Sequence, residues 1–184
     1  MNAVFLTDVS PLENQEVFEY YYYSLATETR KQKADKLQVM SDKARCIGAE
    51  VLLRHAVDFC FGLEFDSLKM ITEPNGKPYI EGNPFFFSLA HSGKYVVCAI
   101  SDSPVGVDIE FDREFSPKFQ QRFAKNVLEW TKMEAKGKLT GKGVLDKTDG
   151  QYIFTTQKPD GYIITVCSDK TIDNFLTYHL PFPC

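Results

Sequence analysis

Residues 85–102, FFFSLAHSGKYVVCAISD, and residues 152–169, YIFTTQKPDGYIITVCSD, decide the fold of this chain. An offset of 67 aligns Phe87 with Phe154, Tyr95 with Tyr162 and Ser101-Asp102 with Ser168-Asp169, and turns Val96-Val97 into Ile163-Ile164. Each stretch is rich in β-branched and aromatic residues around a turn, Ser92-Gly93 in one and Asp160-Gly161 in the other, which predicts a hairpin. The pair predicts two related halves that meet near residues 103–105.

Outward from the hairpins the pattern is helical. Residues 12–40 hold helical stretches that include Phe18-Glu19-Tyr20-Tyr21-Tyr22-Tyr23 and Lys33-Ala34-Asp35-Lys36-Leu37. Ser41 with Asp42 is expected to cap a second helix, in which Ile47, Val51, Leu52 and Val57 recur at helical spacing. Glu73-Pro74-Asn75-Gly76-Lys77-Pro78 reads as a turn into a short strand at Tyr79-Ile80. Ser116 as N-cap and Pro117 at the first helical position predict one helix from Ser116 to Lys138. The fold class is therefore α+β: two pseudosymmetric halves, residues 1–104 and 105–184, each a small antiparallel sheet packed with helices, with a cleft at their interface.

Composition narrows the function. With 184 residues, 43% of them hydrophobic and 14% aromatic, the chain is long enough for a sizeable core and unlike a disordered segment. Met1 to Asp8 contain an acid within a short apolar run and no basic leader, and no run approaches the ~20 apolar residues of a membrane span. A soluble, cytoplasmic protein is expected, with no membrane partner. Five cysteines and no C-x-x-C pair read as reduced core residues, apart from the terminal Cys184. The net charge of −4 argues against nucleic acid as a partner, yet two islands are basic. Thr27–Arg45 carries six Lys+Arg against three Asp+Glu, and Lys118–Lys147 eight against three. Such islands suit a local anion site, and equally a solvated helix face.

The chemistry centres on Gly106-Val107-Asp108-Ile109-Glu110. Strand residues two apart share a face, so Asp108 and Glu110 project together while Val107 and Ile109 pack behind them. On the following helix Trp130, Glu134 and Lys138 are spaced by four and share a face. Asp108, Glu110 and Glu134 form an open triad of oxygen ligands that suits magnesium held jointly with phosphate, and no His/Cys cluster offers a zinc site. From residue type alone, an Asp-x-Glu strand is as readily a solvated edge, Lys77 a turn lysine, Arg45 half of a helix-surface ion pair and His91 a structural turn histidine. Trp130 is read as a core anchor for the helix that bears Glu134.

Taken in order, these segments resemble one family. The basic helix Arg30 to Lys36 with Asp42 to Arg45 and Gly48, then Gly76-Lys77-Pro78, Phe87-Ser88-Leu89-Ala90-His91-Ser92, Gly106 to Glu110 and Trp130 to Lys138 are similar to the 4'-phosphopantetheinyl transferases of the larger, two-half type. The resemblance implies that the phosphopantetheine of coenzyme A is moved to a serine of an apo acyl or peptidyl carrier protein, with release of 3',5'-ADP. It implies Mg²⁺ on Asp108, Glu110 and Glu134, with Glu134 also accepting the serine proton and Lys138 meeting a phosphate. It assigns coenzyme A to Arg30, Lys33, Arg45, Lys77, Pro78, His91 and Ser92. A monomer is expected.

Three features depart from the family pattern. Met133 stands where a lysine precedes the glutamate, and Lys132 cannot replace it because one helical step turns a side chain by ~100°. Ala90 replaces the first serine of a Ser-His-Ser run, and only 20 positions separate Glu110 from Trp130. These departures motivate the alternative of a non-catalytic homologue that binds coenzyme A or a carrier protein. Phe119, Phe123, Arg122 and Lys125 offer a mixed apolar and basic patch for an acidic carrier helix, although two phenylalanines four apart are more simply read as facing the core.

Overall fold

A computed structural model describes residues 2–74, 76–145 and 152–180. Asn75 of the expected turn, Lys147 of the second basic island and Cys184 lie outside the described residues.

The chain opens with β1 (Ala3–Asp8) and runs through α1 (Gln15–Ser24), α2 (Glu28–Asp35) and the long α3 (Met40–Phe61). A two-stranded ribbon, β2 (Met70–Thr72) with β3 (Pro78–Ile80), leads to the hairpin of β4 (Phe86–Ser92) and β5 (Tyr95–Ser101). β6 (Val105–Phe111), α4 (Pro117–Arg122) and α5 (Val127–Thr140) follow, then β7 (Ile153–Gln157), β8 (Tyr162–Ser168) and β9 (Asn174–Thr177). One sheet has the order β4-β5-β1-β9, the other β6-β8-β7.

Both expected hairpins are present, and their registers coincide. Phe86 pairs with Ser101 in the first and Ile153 with Ser168 in the second, 67 residues on at both positions. β1 and β6 take equivalent places, antiparallel to β5 and β8, so that Phe5 opposite Cys98 corresponds to Asp108 opposite Thr165. This α+β arrangement of small sheets packed with helices is compatible with two related halves. One element crosses between them: β9 lies parallel to β1 and completes the first sheet.

The sheets stack face to face between two helices. Val4, Val97 and Ala99 of the first sheet share an apolar layer with Val105, Val107, Ile109, Ile164 and Val166 of the second, while Ala3 and Phe5 turn the other way into the core under α3. Period-2 alternation thus sends Gly106, Asp108 and Glu110 to the side of β6 away from this shared layer, and α5 packs against β6 and β8. A polar tie crosses the apolar seam: the Val107 N–H donates to Ser88 Oγ at 3.1 Å, with both residues buried. Ser88→Ala would leave that N–H without its acceptor and is expected to cost about 1–3 kcal/mol. Urea unfolding checks this, and a loss below about 0.5 kcal/mol would mean that the N–H finds another acceptor.

Three sequence expectations about helices are corrected. The second helix starts at Met40 after an extended Val39 rather than being capped by Ser41, and Asp42 instead lies in its first turn, paired with Arg45. The expected helix from Ser116 to Lys138 is two helices. Ser116 caps α4 as expected, its Oγ accepting from the Phe119 N–H, but Asn126 caps a new helix by accepting from the Glu129 N–H at 2.9 Å. The Glu129 carboxylate in turn accepts from the Lys125 N–H at 2.8 Å, one residue before the cap, in a variant of the capping box. Trp130 is half-buried and belongs to neither core, packing at 5.1 Å and 5.8 Å on Phe119 and Phe123, which are half-buried with it. The break before Asn126 explains this, because it lets α4 fold back over Trp130 rather than continue the line of α5.

Candidate active site

The geometry of the acidic site begins at Gly106. A Cβ there would lie 2.0 Å from the Ala135 carbonyl oxygen and 2.6 Å from the Leu139 nitrogen, so only glycine lets α5 sit this close to β6. At that spacing, Lys138 near the end of α5 reaches back to Asp108, two residues along β6. Its Nζ donates to Asp108 Oδ1 at 2.8 Å. Glu134, one turn earlier, stands close enough to raise the Asp108 pKa.

Asp108 is 6% exposed, and its Oδ2 is buried with no hydrogen-bond partner among the described residues. Burial is the largest influence on its pKa, which rises to about 6; Lys138 opposes the rise, and Glu134 and Glu110 add to it. Burial likewise raises Glu134, against Lys138 and with Glu110. A carboxyl group whose native pKa lies above its unfolded value binds more protons when folded, so its contribution to stability falls as pH rises from about 4 to about 6. Thermal unfolding across that window is expected to show a negative slope from this group, and Asp108→Asn to flatten it. An unchanged slope in the variant would assign the effect to other residues.

Glu110 is held from the other sheet: Ser92 Oγ, on β4, donates to its Oε2 at 3.2 Å. Among the described residues, no three His, Cys, Asp or Glu side chains gather into a cluster able to hold a metal ion by themselves. The donor set nevertheless fits magnesium in its usual setting, in which one or two carboxylates hold the ion and substrate phosphates complete its shell. The buried, unpartnered Asp108 Oδ2 is the observation behind that fit.

Two pockets flank the start of β3 and share Pro78 and Leu89 as lining. The first, about 320 Å³, is lined by Lys77 and Ser88 on one side and by Glu134 and Lys138 of α5 on the other. Lys77 is half-buried and donates to the Leu139 carbonyl at 3.0 Å, and burial lowers its pKa against the pull of Glu73. The second pocket, about 510 Å³, is basic: Arg30, Lys33, Lys36, Arg45 and His91 line it, with Asp42 as the one acid of the lining.

The fold assembles this pocket from separate helices. Glu50 on α3 is 2% exposed and accepts from the Thr27 N–H at 2.6 Å, the Thr27 hydroxyl at 2.9 Å and Arg30 Nε at 3.2 Å. Thr27 is the N-cap of α2, so one carboxylate fixes the start of the helix whose next turn carries Lys33. Arg45 pairs with Asp42 and donates from Nη1 to the Gly93 carbonyl at 2.7 Å, which ties α3 to the β4–β5 turn. His91 lies on β4 rather than in that turn; its pKa is lowered by desolvation, although the residue is exposed, and then by Arg45 and Lys138, with Asp42 opposing.

The sequence-predicted residues are thus distributed as follows. Arg30, Lys33, Arg45, Pro78 and His91 line the basic pocket, Lys77, Pro78, Glu134 and Lys138 the adjoining one, and Asp108 meets Lys138 at its edge. Ser92 contacts Glu110 instead of lining either pocket, and Glu110 lines a third hollow of about 380 Å³ with Phe119 and Trp130. Sequence reasoning left out Lys36 and Glu50. The spacing of Lys36 from Lys33 was a usable signal; Glu50 has a local partner in Arg54, four residues on at 3.7 Å, but nothing local marks its hold on α2, since Arg30 and Thr27 lie 20 and 23 residues away.

The described cysteines, Cys46, Cys60, Cys98 and Cys167, are free thiols, and no helix among the described residues is long and apolar enough to cross a membrane.

Comparison with known proteins assigns the chain to a family. The family model for the 4'-phosphopantetheinyl transferase N-terminal region matches residues 11–103, half of the chain, and the protein belongs to that family. The chain is 34% identical over 134 residues to 4'-phosphopantetheinyl transferase psf-1 of Bacillus pumilus, covering 62% of this chain and 58% of that protein. It is 28% identical over 118 residues to 4'-phosphopantetheinyl transferase Sfp of Bacillus subtilis (strain 168), covering 64% and 52%. With 4'-phosphopantetheinyl transferase gsp of Aneurinibacillus migulanus the identity is 31% over 97 residues, covering 52% and 40%. The chain spans about half the length of the curated relatives it matches.

Proposed function

We propose that this protein transfers the 4'-phosphopantetheine group of coenzyme A to a serine hydroxyl of an apo acyl or peptidyl carrier protein, releasing 3',5'-ADP. The observation that carries the proposal is the contiguity of two sites: a basic pocket lined by Arg30, Lys33, Lys36, Arg45 and His91, beside one that holds Glu134 and Lys138 next to Asp108. A coenzyme with a nucleotide phosphate at one end and a pyrophosphate to be cleaved needs both.

In this mechanism Arg30, Lys33 and Arg45 bind the nucleotide phosphate through charge-assisted hydrogen bonds, while Lys77, Pro78, His91 and Ser92 form the coenzyme side of the reacting centre. Mg²⁺ bound by Asp108, Glu110 and Glu134 would neutralise charge on the pyrophosphate. Glu134, with its pKa raised by burial, is suited to accept the proton of the attacking serine. Lys138 stabilises charge that develops on the leaving phosphate. The nucleophile belongs to the partner, so the enzyme's task is alignment. The protein is proposed to act as a cytoplasmic monomer formed of the halves 1–104 and 105–184.

Incubation with coenzyme A, Mg²⁺ and apo-carrier proteins is expected to add ~340 Da to the carrier, the mass of one transferred phosphopantetheine. Coenzyme A binding without a mass gain on any carrier would leave the alternative of a non-catalytic binding homologue, which Met133 and the short connection from Glu110 to Trp130 favour.

A further inference from the structure

Lys138 stands between two anionic destinations. Its ammonium donates to Asp108 at 2.8 Å, and its side chain also lines the 320 Å³ pocket beside Glu134. A lysine swings its compact charge on a flexible four-carbon stem. Asp108 has no such freedom, because it is 6% exposed on a strand that Gly106 locks against α5. With Oδ2 already unpartnered, a buried Asp108 that also lost Lys138 would carry a charge without compensation, which is strongly unfavourable. An ionised Asp108 therefore favours a cation beside it, and without one the carboxyl group is held in its protonated form.

We propose that Lys138 is a stand-in cation for the metal site: its ammonium occupies Asp108 until a divalent ion displaces it into the adjoining pocket, where it becomes available to a phosphate. This inference rests on the reading that a divalent metal uses Asp108. Ammonium and metal compete for one carboxylate, so the protein alone binds the metal weakly. An anion that draws Lys138 into the pocket vacates Asp108 for the metal, and metal on Asp108 releases Lys138 for the anion. The two ligands then strengthen each other by the same factor, as linkage requires.

Titration with Mn²⁺ as the probe, read by the paramagnetic resonance of the free ion, tests the competition on the full chain without coenzyme A. Lys138→Met is expected to bind Mn²⁺ about tenfold tighter than the unaltered protein, once the competing hydrogen-bonded charge is gone. Lys132→Met, which removes an equal charge from the same helix where the ammonium lies over the Phe154 ring, is expected to change the affinity by less than about twofold. Lys138→Arg keeps a charged competitor and should stay near the unaltered protein. Saturating Mn²⁺ should also raise the melting temperature of Lys138→Met more than that of the unaltered protein.

Equal gains in Lys138→Met and Lys132→Met would reduce the effect to distant charge and overturn the proposal, as would a gain in Lys138→Arg matching that in Lys138→Met. Mn²⁺ binding of equal strength in Lys138→Met and the unaltered protein overturns it too, while leaving the metal reading in place. Absence of Mn²⁺ binding in every variant, with coenzyme A or without, removes the metal reading and this proposal together.

Discussion

Asp108→Ala is expected to lower magnesium-dependent transfer to a carrier protein by at least roughly 10²–10³-fold, while the protein stays folded. The two outcomes have separate causes. Activity is expected to fall because Asp108 is the buried carboxylate proposed to hold the metal, with an oxygen that has no hydrogen-bond partner among the described residues. Folding survives because burial already disfavours the charged form of this residue, and its removal relieves that cost as it breaks the bond to Lys138. Near-ultraviolet circular dichroism should match the unaltered protein, and the melting temperature should shift by no more than about 2–4 °C. Turnover that persisted at the original rate would move the metal to another place on the molecule.

Gly106→Ala should damage stability and activity together. The added methyl has no room: Ala135 O at 2.0 Å and Leu139 N at 2.6 Å are helix backbone, and neither can rotate away as a side chain would. The helix must lift from the sheet, with an expected loss of about 3 kcal/mol from overpacking. Lifting α5 also separates Lys138 and Glu134 from Asp108, so whatever folded protein remains should transfer poorly even below its melting temperature. Urea unfolding and transfer at low temperature measure the two effects independently. A loss under about 1 kcal/mol would mean that β6 and α5 can part without harm.

How far the fold could be read from sequence depended on whether the deciding interaction was local. The hairpins at 86–101 and 153–168 declare themselves through alternation and turn chemistry, which act within a few residues. The cap at Ser116 was legible for the same reason. Asn126 with Glu129 carried an equally local signal that was overridden by the apparent continuity of the apolar and charged spacing from Phe119 to Lys138. Ser41 illustrates the opposite error, a residue with good capping chemistry placed two residues past the actual cap position, Val39.

Long-range partners left no local trace. Nothing near Ser88 announces that it accepts from Val107, or that Ser92 donates to Glu110 across the two sheets. The residues proposed for coenzyme A could be named one by one, but the way they adjoin depends on Glu50 holding the start of α2 and on Arg45 reaching Gly93. Lys138 was read as a phosphate contact, and its bond to Asp108 becomes visible only when Gly106 has set the spacing of helix and strand.

The parallel pairing of β9 with β1 bears on how the protein is made. During synthesis, a nascent chain that has emerged only as far as residue 104 can form the β4-β5-β1 portion of the first sheet, but one flank of β1 stays bare until residues 174–177 leave the ribosome. Within this sheet chain order does not become folding order, because β1 waits for β9. Fragments produced by cleavage near residue 104 should accordingly behave as complementing partners that recover structure on mixing, rather than as two self-sufficient modules.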